Sequence, residues 1–285
     1  MHVPQFRISR RSVTIATALA GVLSLVIGAH AALNMRALDA AKAIATEQDG
    51  VAAKHSSRIA LVIGNGHYPD ASAPLAQPIN DARALTASLR RDGFDVDVVE
   101  DASKDDMSRA VARLKSRIRP DSVVMLFFGG YGVQVGRESY MIPVDAAIWK
   151  EADVRRDGVS VESVLDVMKE RGARAKLVVI DASRRNPYER RFRAFSHGLA
   201  PISAPDNALI LSSATPGQVA DDSSAQNSVL MAELLNNLNA ETGVETSFNK
   251  TRVAISRASE GVQVPSVSSS LMEDVRFSAT ENAGG

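Results

Sequence analysis

The chain contains no cysteine among its 285 residues, and this absence excludes disulfide bonds, thiolate metal sites and any cysteine nucleophile. Aromatic residues are also scarce, at 5% of the sequence with a single tryptophan. Neither sign of charge dominates, because 33 basic residues balance 33 acidic ones. The balance predicts no general electrostatic attraction to nucleic acid or to an anionic membrane. At 45% hydrophobic, the chain is long and apolar enough for one large domain and an appendage.

The amino-terminal region has the pattern of a targeting segment. Residues 12–33 are uncharged and follow three arginines, and the sequence Ser9-Arg10-Arg11-Ser12-Val13 resembles a twin-arginine signal. The length fits either an export signal or a membrane anchor, and Ala29-His30-Ala31 offers a cleavage site of small residues. Basic residues before such a segment keep the amino terminus in the cytoplasm. We therefore expect an exported protein, either periplasmic or anchored to the cytoplasmic membrane and facing the periplasm.

The composition divides the chain into four parts. Residues 34–57 alternate alanine with charged and small polar residues, so they are too poor in large apolar groups to form a core. The predicted organisation is a signal peptide or signal anchor at 1–33, a linker at 34–57, a domain at 58–278 and a tail at 279–285.

Within the domain, short apolar runs alternate with segments of helical periodicity. The predicted strands are 59–63, 94–99, 123–128, 177–180, 208–212 and 264–270, and the predicted helices are 80–91, 105–118, 161–169, 228–239 and 246–258. Residues 131–143 alternate around Gly136, as a hairpin does. This order predicts an α/β fold with a mostly parallel six-stranded sheet and helices on both faces.

Two of the predicted strands run into polar loops. The first stretch reads Met125-Leu126-Phe127-Phe128-Gly129-Gly130-Tyr131-Gly132, and the second reads Leu177-Val178-Val179-Ile180-Asp181-Ala182-Ser183. In open α/β sheets, ligands bind beyond the carboxyl ends of the strands. We therefore expect Tyr131 and Ser183 to lie near each other at one edge of the sheet.

These stretches resemble the caspase-like peptidases, family C14, and in particular the bacterial metacaspase and orthocaspase branch. In that family a histidine stands in a Gly-His-Gly turn after one strand, and a cysteine follows the next strand in Asp-Ala-Cys-Arg. The resemblance covers residues 58–278. Further matching motifs are Ala60-Leu61-Val62-Ile63-Gly64-Asn65, Pro78-Ile79-Asn80-Asp81-Ala82, Tyr140-Met141-Ile142-Pro143-Val144-Asp145, Asn186-Pro187-Tyr188, Ser213-Ala214-Thr215-Pro216-Gly217-Gln218-Val219-Ala220 and Pro265-Ser266-Val267-Ser268-Ser269-Ser270-Leu271.

The resemblance implies a caspase-hemoglobinase-like fold in which both catalytic positions are degenerate. Tyr131 stands in place of the histidine and Ser183 in place of the cysteine. A serine hydroxyl needs an adjacent general base, whereas a tyrosine with a reference pKa of about 10 is neutral near pH 7. This combination predicts a pseudo-protease of the cysteine endopeptidase family that does not cleave peptides.

Other family positions keep their residue types. The resemblance assigns Asp81 and Asp181 to a pocket for an Arg or Lys side chain, and the backbone N–H groups of Gly132 and Ser183 to an oxyanion hole. Two carboxylates at the mouth of a crevice would hold a guanidinium through charge-assisted hydrogen bonds. The alternatives are that Asp81 is a helix-capping residue and that Asp181 binds loop amides.

The predicted function is therefore the binding of basic peptide segments of a partner protein. The alternative is a hydrolase that uses Ser183 as nucleophile with an unidentified base, for which His67 and His197 are candidates. The loop 184–195 combines five arginines with three aromatic residues, yet an exported protein rarely meets nucleic acid. The positive charge of this loop also permits docking on an acidic partner or on lipid headgroups. Asp221 and Asp222 resemble calcium ligands of some metacaspases, although adjacent loop carboxylates are usually only solvated. We expect no metal, no cofactor and no nucleic acid partner.

Overall fold

The computed structural model describes residues 57–69, 74–182, 199–215, 217–218, 220, 225–238 and 242–278. Within these residues, no helix is both long and apolar enough to cross a membrane. Several predictions fall outside them: the signal or anchor at 1–33, the linker up to 56, Ser183, the basic loop 184–195, His197, Asp221, Asp222 and the tail at 279–285. These stay predictions.

Strands and helices alternate through the described domain. The strands are β1 (Arg58–Gly64), β2 (Asp95–Glu100), β3 (Val123–Gly129), β4 (Gly132–Val135), β5 (Glu138–Met141), β6 (Val159–Ser160), β7 (Ala175–Asp181), β8 (Ala208–Ser212) and β9 (Ser266–Ser269). The helices are α1 (Pro78–Arg91), α2 (Lys104–Arg117), α3 (Glu151–Asp157), α4 (Val161–Glu170), α5 (Val229–Asn237) and α6 (Val244–Ala258).

The main sheet has six strands in the order β2-β1-β3-β7-β8-β9. Neighbouring strands from β2 to β8 are parallel, and β9 pairs with β8 in the antiparallel direction. The predicted mostly parallel six-stranded sheet is confirmed.

Two hydrophobic cores cover the two faces of this sheet. Every residue of β3 and β7 is buried, and alternate side chains point to opposite faces. Phe128 and Ile180 pack with α2 and α4, whereas Phe127 and Val179 pack with α1, α5 and α6. Each fully buried large side chain contributes about 1.5–3 kcal/mol, so this double layer fixes the strand order and the ends of the strands.

A second, three-stranded sheet follows β3 in the order β4-β5-β6. The predicted hairpin is confirmed, and its turn uses Gly136 at φ +65°. The sequence did not predict β6 or α3. The strand has only two residues, and the seven-residue helix is too short to show a helical period. The start of α3 is held instead by Asp153, whose carboxylate accepts the backbone N–H groups of Trp149 and Lys150 at 3.1 Å.

Candidate functional site

The carboxyl ends of β1, β3 and β7, which we call the rim, lie side by side. The strand register places Gly64 opposite Gly129, and Gly129 opposite Asp181. The backbone N–H of Gly130 donates to the carbonyl of Asp181 at 3.2 Å. The chain leaving β3 therefore runs next to the chain leaving β7, as expected. The distance from Tyr131 to Ser183 stays a prediction, because Ser183 lies beyond the described residues.

Two glycines allow the close packing at the rim. A Cβ on Gly64 would lie 2.4 Å from the carbonyl oxygen of Pro78, so glycine lets α1 approach the end of β1. A Cβ on Gly132 would lie 2.6 Å from Cδ2 of Leu199 and 3.0 Å from Cβ of Ala182. The backbone of Gly132, one half of the expected oxyanion hole, therefore lies against the first residue after β7.

Tyr131 is a packing residue in this structure. Its side chain is buried in an apolar cluster with Tyr68, Ile142 and Ile148. The rings of Tyr68 and Tyr131 meet edge to face, with 4.8 Å between centroids. The backbone N–H of Tyr131 donates to the hydroxyl of Tyr68, which donates in turn to the carbonyl of Ile142, both at 3.0 Å. The position that the resemblance equates with the family's histidine is thus built into a small core.

Asp81 lies in the first turn of α1 and is fully buried. Its Oδ1 accepts the side-chain N–H of Asn227 at 2.8 Å and the backbone N–H of Ser228 at 3.0 Å. Its Oδ2 is buried and makes no hydrogen bond among the described residues. These bonds reach the start of α5, so the side chain does not cap its own helix. Sequence reasoning missed Asn227 and Ser228, because nothing local links them to a residue so distant in the chain.

The carboxyl of Asp181 lies close enough to Asp81 for their charges to interact, while the pocket for an Arg or Lys side chain stays a prediction. Burial and then repulsion from Asp181 raise the pKa of Asp81 to about 6, although hydrogen bonds from Asn227 and Ser228 lower it. Asp181 is only 2% exposed, so both carboxyls are covered and do not stand at an open mouth. Two buried carboxyls with one unpartnered oxygen on Asp81 form an acidic pair that a cation would stabilise.

His67, the candidate base, pairs with an aspartate that the sequence analysis did not identify. Its Nδ1 lies 2.6 Å from Oδ2 of Asp101, while Oδ1 of Asp101 accepts the backbone N–H groups of Gly66 and His67. Although burial acts to raise it, these hydrogen bonds lower the pKa of Asp101. The sequence could have indicated this partner, because Asp101 directly follows β2 and so stands at the same end of the sheet as His67.

The pair formed by His67 and Asp101 lies away from β7 in the order of the strands. His67 follows β1, and its partner follows the outer strand β2, whereas Asp181 ends β7. Two strand spacings, about 10 Å, separate β1 from β7. The imidazole is oriented by a carboxylate, as a general base requires, but that carboxylate follows β2, which lies on the side of β1 opposite to β7.

The described residues contain no group of three or more His, Asp or Glu that could hold a metal ion.

One groove of about 830 Å³ lies between α6 and residues 271–275, where the chain continues beyond β9. It is lined by mixed polar and apolar side chains and contains neither member of the acidic pair. Of the predicted site residues that the structure describes, Tyr131, Gly132 and Asp181 lie at the ends of β3 and β7.

Comparisons with known proteins agree with this architecture. The family model described as "Caspase domain" matches residues 57–276. The chain is 28% identical over 133 residues to the human mucosa-associated lymphoid tissue lymphoma translocation protein 1, and 29% identical over 133 residues to its mouse homologue. Each match covers 46% of this chain and 16% of the relative, so this chain matches only a small part of the relatives' length.

Among solved structures, caspase-1 from Spodoptera frugiperda superposes with a TM-score of 0.58 at 15% identity, covering 80% of this chain and 92% of that one. This similarity shows the fold. The family expected from the sequence is confirmed by the family model. The chain belongs to the caspase domain family, and it does so without a single cysteine.

Proposed function

We propose that this domain binds Arg- or Lys-containing segments of a partner protein without cleaving them. The family's chemistry needs a thiolate, which a chain without cysteine cannot supply. The position of the family's histidine holds Tyr131, whose ring is buried against Tyr68. A domain that keeps the fold but lacks the family's nucleophile would bind such segments without cleaving them.

The observation that carries the proposal is the buried acidic pair. Asp81 and Asp181 are close enough that one carboxyl raises the pKa of the other, and Oδ2 of Asp81 makes no hydrogen bond among the described residues. An uncompensated buried carboxylate is costly, and a bound guanidinium or ammonium would offset that cost with charge-assisted hydrogen bonds. The pair therefore suits a cationic side chain better than a neutral or acidic one.

The partner and the location are proposals from the sequence. The uncharged segment 12–33 after its arginines supports export, with the domain in the periplasm or anchored to the membrane that bounds it. A partner there would be a protein with an exposed Arg or Lys. The zero net charge supports a protein partner more than a nucleic acid.

Peptide binding to the full-length chain tests the proposal. Fluorescence anisotropy would compare labelled peptides that carry Arg, Lys or uncharged citrulline at one position. We expect binding of the first two, and a loss of about tenfold or more in the double variant Asp81→Asn, Asp181→Asn, since each charge-assisted hydrogen bond is worth about 1.5–3 kcal/mol. The matched control is Asp166→Asn, an exposed position on α4. Unchanged affinity in the double variant would overturn the proposal.

A second candidate function is a serine hydrolase with Ser183 as nucleophile. The contact between His67 and Asp101 favours it, because a carboxylate-oriented imidazole is a competent general base. The placement of this pair beside β2 counts against it. Hydrolysis of Arg and Lys fluorogenic peptides that is lost in both Ser183→Ala and His67→Gln would establish this function instead.

A further inference from the structure

The segment before α5 is fastened to the start of α1 by side chains of two consecutive residues. Asn80 donates to the carbonyl of Gln226 at 3.0 Å, and Asp81 accepts from Asn227 and Ser228 through one oxygen. The hydroxyl of Ser228 also accepts the backbone N–H of Met231 at 3.0 Å, which caps α5. The amino-terminal ends of the two helices are therefore held together through Asn80 and Asp81.

The two oxygens of Asp81 have different surroundings. Oδ1 receives both donors, whereas Oδ2 is buried and makes no hydrogen bond among the described residues. Because the bonds to Oδ1 come from a side-chain amide and from the amino-terminal end of α5, they fix the rotation of the carboxyl. They also favour its ionised form, since both donors and the helix dipole stabilise negative charge.

We propose that Asn227 is a positioning residue of the acidic pair, holding Oδ1 of Asp81 so that Oδ2 is left for the cationic side chain of a bound peptide. The inference rests on the proposed function, and it adds a residue that does not touch the ligand. Without the amide, the carboxyl would lose one of its two fixed bonds and would gain a proton more readily.

Three residues influence the charge of Asp81. The carboxyl of Asp181 faces it from the end of β7 and opposes ionisation, as burial does. The amide of Asn227, and both the backbone N–H and the hydroxyl of Ser228, face it from the start of α5 and favour ionisation. Removing Asn227 should therefore move the titration of Asp81 to higher pH, and the pH dependence of peptide binding should move with it.

The test combines two measurements on the full-length protein. Carbon-13 NMR would follow the titration of the Asp81 carboxyl, assigned with Asp81→Asn, and anisotropy would follow the binding of an Arg peptide from pH 5 to pH 8. In the natural chain we expect affinity to rise as Asp81 ionises. In Asn227→Ala and in the isosteric Asn227→Asp, both midpoints should shift upward together, and affinity at pH 7 should fall several-fold.

Two further variants keep the result interpretable. Asn227→Ser retains a short donor and should lie between the natural chain and Asn227→Ala, which also covers the case in which one variant fails to fold. Asn249→Ala removes an amide that donates to a carbonyl within α6 and should change neither midpoint.

The outcomes separate the inference from the function on which it rests. An unshifted Asp81 titration in Asn227→Ala, with peptide binding intact, would overturn the role of Asn227 and leave the proposed function standing. A shifted titration without peptide binding in any variant, including the natural chain, would overturn the proposed function and the ligand that the inference assigns to Oδ2.

Discussion

The hydroxyl of Tyr68 accepts the backbone N–H of Tyr131 at 3.0 Å, and the two rings pack edge to face. This contact fixes the chain at the position that the resemblance equates with the family's histidine. Tyr131 therefore has a structural use in the fold. An imidazole placed there would stand in an apolar cluster with Ile142 and Ile148.

Replacing Tyr131 by histidine should therefore destabilise the domain. The change removes an aromatic pair worth about 0.5–1.5 kcal/mol and buries a polar ring, so we expect a loss of about 1–3 kcal/mol in the free energy of unfolding. Urea denaturation measures it, with Tyr131→Phe as the matched control that keeps the ring and loses less. Equal stability of the histidine variant and the natural chain would contradict this description of the cluster.

The variant Asp81→Asn should stabilise the domain at neutral pH. The pKa of Asp81 is raised from its ordinary 3.8 to about 6, so the folded state binds the proton more tightly than the unfolded state does. The stability that the protonated form contributes is present below about pH 4 and is lost as pH rises through about 6. At pH 7 this lowers the free energy of unfolding by about 3 kcal/mol. Asparagine does not ionise, so the variant would not suffer this loss.

Urea denaturation at pH 4, 5, 6 and 7 checks this prediction. The advantage of Asp81→Asn should be largest at pH 7 and should shrink toward pH 4, with Asp166→Asn measured beside it as the exposed control. A constant difference at every pH would mean that Asp81 does not carry a raised pKa. Asp81 and Asp181 would then be a poor candidate for a cation site, because that proposal depends on the cost of a buried carboxylate charge.

Arg58 joins the beginning of the domain to its end. Its guanidinium donates to the backbone carbonyls of Arg276, Phe277 and Ser278 at 2.5, 2.9 and 3.2 Å, and it lies 5.7 Å from the ring centroid of Phe94. Burial, followed by the nearby charge of Arg174, lowers the pKa of Arg58. We expect Arg58→Met to lower the free energy of unfolding by about 1–3 kcal/mol, because several carbonyls lose a charged donor.

Two variants sharpen the measurement on Arg58. Arg58→Lys keeps the charge but not the planar fork, so it should recover only part of the loss. Arg109→Met breaks an exposed ion pair with Asp106 and should cost less than about 1 kcal/mol. If Arg58→Met cost no more than Arg109→Met in urea denaturation, the three carbonyl contacts would not contribute to stability.

Much of the fold could be predicted from the sequence, because the buried strands β3 and β7 are continuous apolar runs and the helices show a clear period. Gly129 and Asp181 stand at the carboxyl ends of two predicted strands, and this was enough to predict that these strand ends meet at one edge of the sheet. The two-residue β6 and the seven-residue helix α3 could not be predicted, since they are too short to show a period. The antiparallel direction of β9 depends on its pairing with β8, which the local sequence does not determine.

The site was less accessible to sequence reasoning. The resemblance to the caspase-like peptidases implied an acidic pair of Asp81 and Asp181, but the burial of these residues depends on tertiary packing. The bonds from Asn227 and Ser228 span most of the domain, and the contact of His67 with Asp101 joins two different strand ends. Such partners are set by topology, so only the folded structure reveals them.

The most direct test of the central claim follows the fate of a bound peptide. The full-length chain would be incubated with an Arg-containing peptide at a concentration that saturates binding, and mass spectrometry would then identify the recovered peptide. We predict that the peptide binds in a manner that requires Asp81 and Asp181, and that it is recovered intact. Cleavage next to the arginine that disappears in Ser183→Ala would contradict this account and identify the domain as a serine hydrolase.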